Sequence, residues 1–391
     1  MTLATRLPSY PWDELAPLAE KARAFPGGLV DLSIGTPVDP VPAVISGALA
    51  AAANAPGYPL TAGTPELRAA AAGWLSRSLD VPVDPVTVLP VIGTKAFIAW
   101  LPTMLGLGPG DTVLMPSLAY PTYDIGARLC GASPVPVDGV PGDRVPGDRV
   151  PGDSVPGDRA AGHPGARLLW VNSPSNPTGQ VLAPGALRGA VGWARSHGAV
   201  LASDECYIEL GWDTAPVSVL HPSVRGGSLD GLLAVFSLSK RSNLAGYRAG
   251  FVTGDPALMK ELLLVSRHAG MIVPTPVQAA MIAALSDDEH AAEQKARYAA
   301  RRAVLAAALT AAGFRLEHSE AGLYLWAHRP GLDCWAACEL LAAECGILAG
   351  PGSVYGPAGA DYIRVALTAT DERVAAASAR LHALASHLFV T

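Results

Sequence analysis

The sequence has no apolar run of roughly 18 residues free of charge and proline, so no membrane-spanning helix is expected. The segment from Met1 to Asp13 carries prolines and lacks an apolar stretch, which argues against a secretory leader. Charge is scarce as well. Only 16% of residues are Asp, Glu, Lys or Arg, the net charge is −6, and no long basic cluster occurs. Nucleic acid is therefore not expected as a main partner. The five cysteines (Cys130, Cys206, Cys334, Cys338 and Cys345) fall in no metal-ligand or redox spacing. They read as packing thiols of a reducing compartment, and no metal site is expected. These absences leave a cytoplasmic protein that acts on small molecules.

What is present is apolar bulk. Half of the 391 residues are hydrophobic, enough for a large core and two domains. Between Pro65 and about Asp255, helical and strand patterns alternate, as in a doubly wound α/β sheet. The strand candidates are Leu29–Ile34, Thr112–Met115, Arg167–Asn172, Ala199–Ser203, Leu232–Ser237 and Ala249–Thr253. Those after Pro65 are continuous apolar runs, which fits a sheet covered on both faces. A single long helical stretch, Pro276 to Ala312, is expected to lead into a smaller α+β domain. The predicted division is a large domain over 40–280 and a small one formed by 1–39 with 281–391. A fourfold repeat of Val-Pro-Gly-Asp-Arg/Ser type, Val140–Arg159, is too short per unit to build a layer and reads as a surface-loop insertion.

The chemistry gathers where apolar strands end. Val235-Phe236-Ser237-Leu238-Ser239-Lys240 places two hydroxyls and a lysine after a buried strand, and Arg248 follows. A buried lysine must be paired, neutralised or used covalently. Ser237, Ser239 and Arg248 are the groups a phosphate ester needs, so Lys240 suits a Schiff base with pyridoxal 5′-phosphate. Asp204 ends another apolar run and can pair with a pyridine nitrogen. Tyr207 and Asn176, the latter in Asn176-Pro177-Thr178-Gly179, can both reach the ring oxygen. Gly93-Thr94-Lys95 opens a helix whose backbone N–H groups can hold phosphate. Tyr120 can stack on the ring. Each piece alone is ordinary, but their order along the chain is specific.

With those residues in place, the chain resembles the class I/II pyridoxal phosphate aminotransferases of fold type I, from about Leu32 to Leu384. The resemblance implies a large domain with a mostly parallel, seven-stranded type of sheet flanked by helices, plus a small α+β domain. It implies that Lys240 carries the cofactor and moves the substrate proton, with Asp204 and Tyr207 as its catalytic partners. It also implies three assignments the residues alone do not suggest. Arg364, in Tyr362-Ile363-Arg364-Val365-Ala366, would clamp the substrate α-carboxylate. Gly35 would lie in a loop closing over substrate. Tyr58, in Gly57-Tyr58-Pro59, would reach the phosphate of a partner subunit, so a homodimer is implied.

Closer wording around Asp31–Pro42, Leu169–Gly179, Ser237–Arg248 and Arg364–Arg373 is similar to actinobacterial N-succinyldiaminopimelate aminotransferases. That implies transfer of an amino group between N-succinyl-LL-2,6-diaminopimelate and 2-oxoglutarate in lysine (diaminopimelate) synthesis. The pattern departs at Ala96 and Phe97, where the group usually carries an acidic residue. A substrate with several carboxylates needs a cation beyond Arg364, for which Arg241 and Lys95 are candidates. The same residues would also serve an aminotransferase with another donor, or a β-lyase acting on cysteine conjugates.

Overall fold

The computed structural model describes residues 2–140 and 165–388. Apart from Val140, the repeat lies outside the described residues.

The strands are β1 (Val30–Asp31), β2 (Leu89–Val91), β3 (Thr112–Pro116), β4 (Ser133–Val137), β5 (Ala166–Asn172), β6 (Val200–Asp204), β7 (Leu232–Ser237), β8 (Gly250–Gly254), β9 (Arg315–Glu317), β10 (Tyr324–His328), β11 (Ile347–Leu348), β12 (Gly350–Pro351) and β13 (Tyr362–Ala366). Seven of them form one sheet in the order β2-β8-β7-β6-β5-β3-β4. Within it β8 alone runs antiparallel to its neighbours β2 and β7. Alternate residues of each central strand enter different cores. Leu169, Val171, Leu232, Ala234 and Phe236 pack on one face. Leu168, Trp170, Leu233 and Val235 pack on the other. A strand buried on both faces has no polar side to show, which is why these segments read as unbroken apolar runs.

Four strands, β12-β13-β10-β9, make a second, antiparallel sheet, and β1 pairs with β11 in a parallel ribbon. Its core joins Leu15, Leu18 and Val30 to Tyr298, Phe314, Leu325, Cys338 and Leu381. The early residues thus pack with the last third of the chain.

The structure corrects two local expectations. The 29–34 strand is only Val30–Asp31, since pairing with β11 ends there. The helix over 276–312 is two helices, Thr275–Ser286 and Glu289–Ala311. The Asp287 carboxylate accepts from the Glu289 N–H at 2.9 Å, capping the second helix at the break. The two-residue strands β11 and β12 carry no periodicity of their own and were invisible to pattern reading.

Candidate active site

The parallel strands bring their carboxyl ends to one edge, where an open α/β sheet binds ligands. Asn172 ends β5, Asp204 ends β6 and Ser237 ends β7, with Asn172 and Asp204 side by side in register. A cleft of about 260 Å³ opens there. Gly35, Thr94, Lys95, Tyr120, Asn176, Asp204, Tyr207, Ser237, Ser239, Lys240, Arg248 and Arg364 all line it. Two of the expected residues do not. Gly93 lies just behind, and Tyr58 is fully exposed outside it.

The buried Asp204 carboxylate accepts from the Tyr123 hydroxyl at 2.8 Å and from the Cys206 N–H at 3.2 Å. Burial pushes its pKa up, and the bonds from Cys206 and Tyr123 pull the other way. A protonated ring nitrogen is the cationic partner such a carboxylate suits. Lys240 lies within the Ser237-capped turn Leu238–Arg241, and its ammonium donates to the Gly35 carbonyl. Burial lowers its pKa, which favours the neutral amine needed for imine formation or proton abstraction.

The phosphate cradle is legible in one glycine. Gly93 has φ +86° and precedes the helix Thr94–Met104, and a Cβ there would overlap the Arg248 guanidinium. Without a Cβ at Gly93 that arginine can lie over the helix N-terminus, where free N–H groups and the dipole favour an anion. Ser237 and Ser239 are nearly buried beside it. These residues fit a phosphorylated pyridine: anion cradle, carboxylate and amine share one cleft.

Arg364 reaches the cleft from β13. It donates to Asn176 Oδ1 at 2.8 Å and to the Ser33 carbonyl at 2.6 Å, while its Nε has no partner among the described residues. Asn176 therefore keeps only its NH2 for the cleft. Tyr324 lies 3.9 Å from the guanidinium, measured to the ring centroid, with Tyr355 at 4.9 Å and Trp12 at 5.4 Å. Sequence reading gave Tyr123, Tyr324 and Trp12 no role. Tyr123 lies three residues after Tyr120, whereas Tyr324 and Trp12 come from distant segments with no local mark.

Of the two candidate distal cations, Arg241 is ruled out. It is buried outside the cleft, ion-paired with Glu209 and bonded to the Ala284 carbonyl. Lys95 lines the cleft beneath the Tyr10 ring, 5.6 Å from its centroid. It has no ion pair with an acidic residue among the described residues. Its pKa is lowered, first by burial and then by Arg248.

The family model for aminotransferase class I and II matches residues 28–381. The chain belongs to this family. It is thus a pyridoxal phosphate-dependent aminotransferase. It is 58% identical over 375 residues to the 4-dedimethylamino-4-oxo-anhydrotetracycline transaminase of Streptomyces rimosus, spanning 96% of this chain and 99% of that one. A probable aminotransferase of Mycobacterium tuberculosis is 55% identical over 380 residues, spanning 97% and 86%. Among solved structures, a probable N-succinyldiaminopimelate aminotransferase from Thermus thermophilus superposes with a TM-score of 0.82. It is 29% identical, with 96% and 100% of the two chains covered. Among the described residues no helix is long and apolar enough to cross a membrane.

Proposed function

We propose that this aminotransferase moves an amino group from N-succinyl-LL-2,6-diaminopimelate to 2-oxoglutarate by a ping-pong sequence. The observation that carries the reading is that, besides Lys240 and Arg248 at the cofactor end, the cleft holds two more cations with no acid partner among the described residues: Arg364 deep inside and Lys95 near Tyr10. Arg364 takes the α-carboxylate in a fork, with its free Nε available for the second bond. Lys95 takes a distal carboxylate.

Pyridoxal phosphate, when bound, supplies the aldehyde that receives the amino group and a ring that accepts the electron pair left at the substrate α-carbon. Lys240 holds the group covalently through Nζ. With the cofactor bound, the neutral Nζ would take the proton from the substrate α-carbon and deliver it to the carbon that carried the aldehyde. Asp204 keeps the ring nitrogen protonated. Asn176 and Tyr207 hold the ring oxygen, and Tyr120 covers the ring face. The Thr94 and Lys95 N–H groups, Ser237, Ser239 and Arg248 hold the phosphate, with Gly93 leaving room for Arg248. Gly35 gives Lys240 a resting acceptor. The fully exposed Tyr58 reaches the phosphate of a second copy, which makes the working unit a homodimer.

The 58% identical relative favours a second reading, in which the amino acceptor is a polycyclic ketone. A steady-state donor panel with 2-oxoglutarate, read as glutamate formed, separates the two. The first reading expects N-succinyl-LL-2,6-diaminopimelate to outrun unsuccinylated LL-diaminopimelate and monocarboxylic amino acids. Glutamate formation from those donors but not from the succinylated one would refute it, and glutamate-dependent amination of the tetracyclic ketone would favour the second. Release of pyruvate from cysteine conjugates would mark the lyase.

A further inference from the structure

Tyr324 opens β10, and its position joins groups that function keeps apart. In the β10–β13 register Trp326 lies opposite Arg364, so Tyr324, two residues earlier, shares that face and lies diagonal to the arginine. Its ring packs on the guanidinium at 3.9 Å. Its hydroxyl lies 3.2 Å from the Tyr207 hydroxyl, which has no other hydrogen-bond partner among the described residues. The Gly35 backbone passes so close to the ring that a Cβ there would overlap it, and the Gly35 carbonyl accepts from Lys240. The side chain is 4% exposed, so it has little freedom to leave these contacts.

Two parts of the residue do separable work. The ring face confines an arginine that has no acidic partner among the described residues, together with Trp12 and Tyr355. The hydroxyl orients Tyr207. Burial raises the Tyr324 phenol, but Arg364 and Lys240 bring it below its usual value, whereas burial leaves Tyr207 well above. The two hydroxyls lie within hydrogen-bond distance and either can donate, so the Tyr324 oxygen fixes where the Tyr207 hydroxyl sits.

We propose that Tyr324 is a positioning residue for the transamination, its ring setting Arg364 for the substrate carboxylate and its hydroxyl setting Tyr207 for the cofactor. The proposal rests on the reading of Arg364 and Tyr207 given above.

The test uses protein reconstituted with pyridoxal phosphate and two equilibrium readouts, 2-oxoglutarate affinity by calorimetry and cofactor affinity by fluorescence titration. Tyr324→Phe should bind 2-oxoglutarate within about twofold of the parent yet hold the cofactor about tenfold more weakly, because only the hydroxyl is lost. Tyr324→Leu should lose both, with 2-oxoglutarate weakened about tenfold or more. Parent-like cofactor affinity in Tyr324→Phe, or parent-like 2-oxoglutarate affinity in Tyr324→Leu, overturns the proposal. Should Tyr324→Leu fail to fold, Gly35→Ala displaces the ring with every charged group in place. It should weaken 2-oxoglutarate, and unchanged affinity overturns the proposal. Arg364→Ala separates the levels. If it binds 2-oxoglutarate as the parent does, the reading of Arg364 fails and the proposal with it. If it alone loses binding while the Tyr324 and Gly35 variants do not, only the proposal fails.

Discussion

Arg301 and Arg364 are equally buried, each 3% exposed, and their surroundings are opposite. Arg301, in the helix Glu289–Ala311, donates to both Asp39 oxygens at 2.7 and 2.8 Å and to Asp371 at 2.6 Å. Arg364 finds an amide oxygen, a backbone carbonyl and three aromatic rings, and its Nε has no partner among the described residues. Consecutive residues repeat the contrast. Arg241 is ion-paired with Glu209, whereas among the described residues the Lys240 ammonium has the Gly35 carbonyl as its hydrogen-bond acceptor and no acid partner. Burial of a cation thus says little by itself. A cation whose counter-charge is built into the chain holds the fold together, and one left without it is set for a ligand.

The contrast breaks most visibly at Lys240. Lys240→Ala should lower kcat by at least about 10³-fold, through loss of both the covalent anchor and the base. Its melting temperature without cofactor should stay at or above that of the parent, because a desolvated ammonium is removed. A clear fall in melting temperature would place Lys240 with the structural cations.

The two arginines should dissociate in opposite directions. Arg364→Ala should lower kcat/KM for the amino donor by about 10–100-fold, the worth of charge-assisted hydrogen bonds, with little change in stability. Arg301→Ala should cost about 3 kcal/mol of stability by stranding Asp39, with KM nearly unchanged. Denaturant unfolding and steady-state kinetics on both variants check this, and matching effects on both scales would erase the distinction.

Lys95→Ala sharpens the comparison within the cleft. It should raise KM about tenfold for a donor with distal carboxylates and change little for one without them. An equal effect on both donors would confine Lys95 to the phosphate end.

A smaller effect concerns pH. Burial raises the Asp39 carboxyl, but Arg301 and Gln294 outweigh it and hold it below the ordinary value. A carboxyl whose folded-state pKa is depressed contributes stability above its unfolded value, about 4, and loses it as pH falls through the folded value. The difference in unfolding free energy between the parent and Arg301→Ala should therefore shrink as pH drops below about 4. A difference that stays constant down to pH 3 would exclude Asp39 as its source.

Much of this site could be read in the sequence, because an apolar strand that ends in a polar residue is a local signal. Asp204, Ser237 and Lys240 each announce themselves that way, and the sheet edge that collects them follows from parallel topology. Arg364 needed a family likeness, since nothing in Tyr362–Ala366 tells it apart from a structural arginine. Tyr324 and Tyr123 act through hydroxyls that meet groups 117 and 81 residues away, and no local pattern encodes such meetings. The break at Asp287 was missed for the opposite reason: its cap is local, but helical periodicity on both sides masked it.

The most direct test of the account is a single half-reaction. Cofactor-loaded protein is mixed with N-succinyl-LL-2,6-diaminopimelate without keto acid, and the absorbance of the bound cofactor is followed. The account predicts stoichiometric conversion of the pyridoxal band to the pyridoxamine band, reversed by 2-oxoglutarate and absent in Lys240→Ala. A pyridoxal band untouched by this donor, yet discharged by a monocarboxylic amino acid, would contradict it.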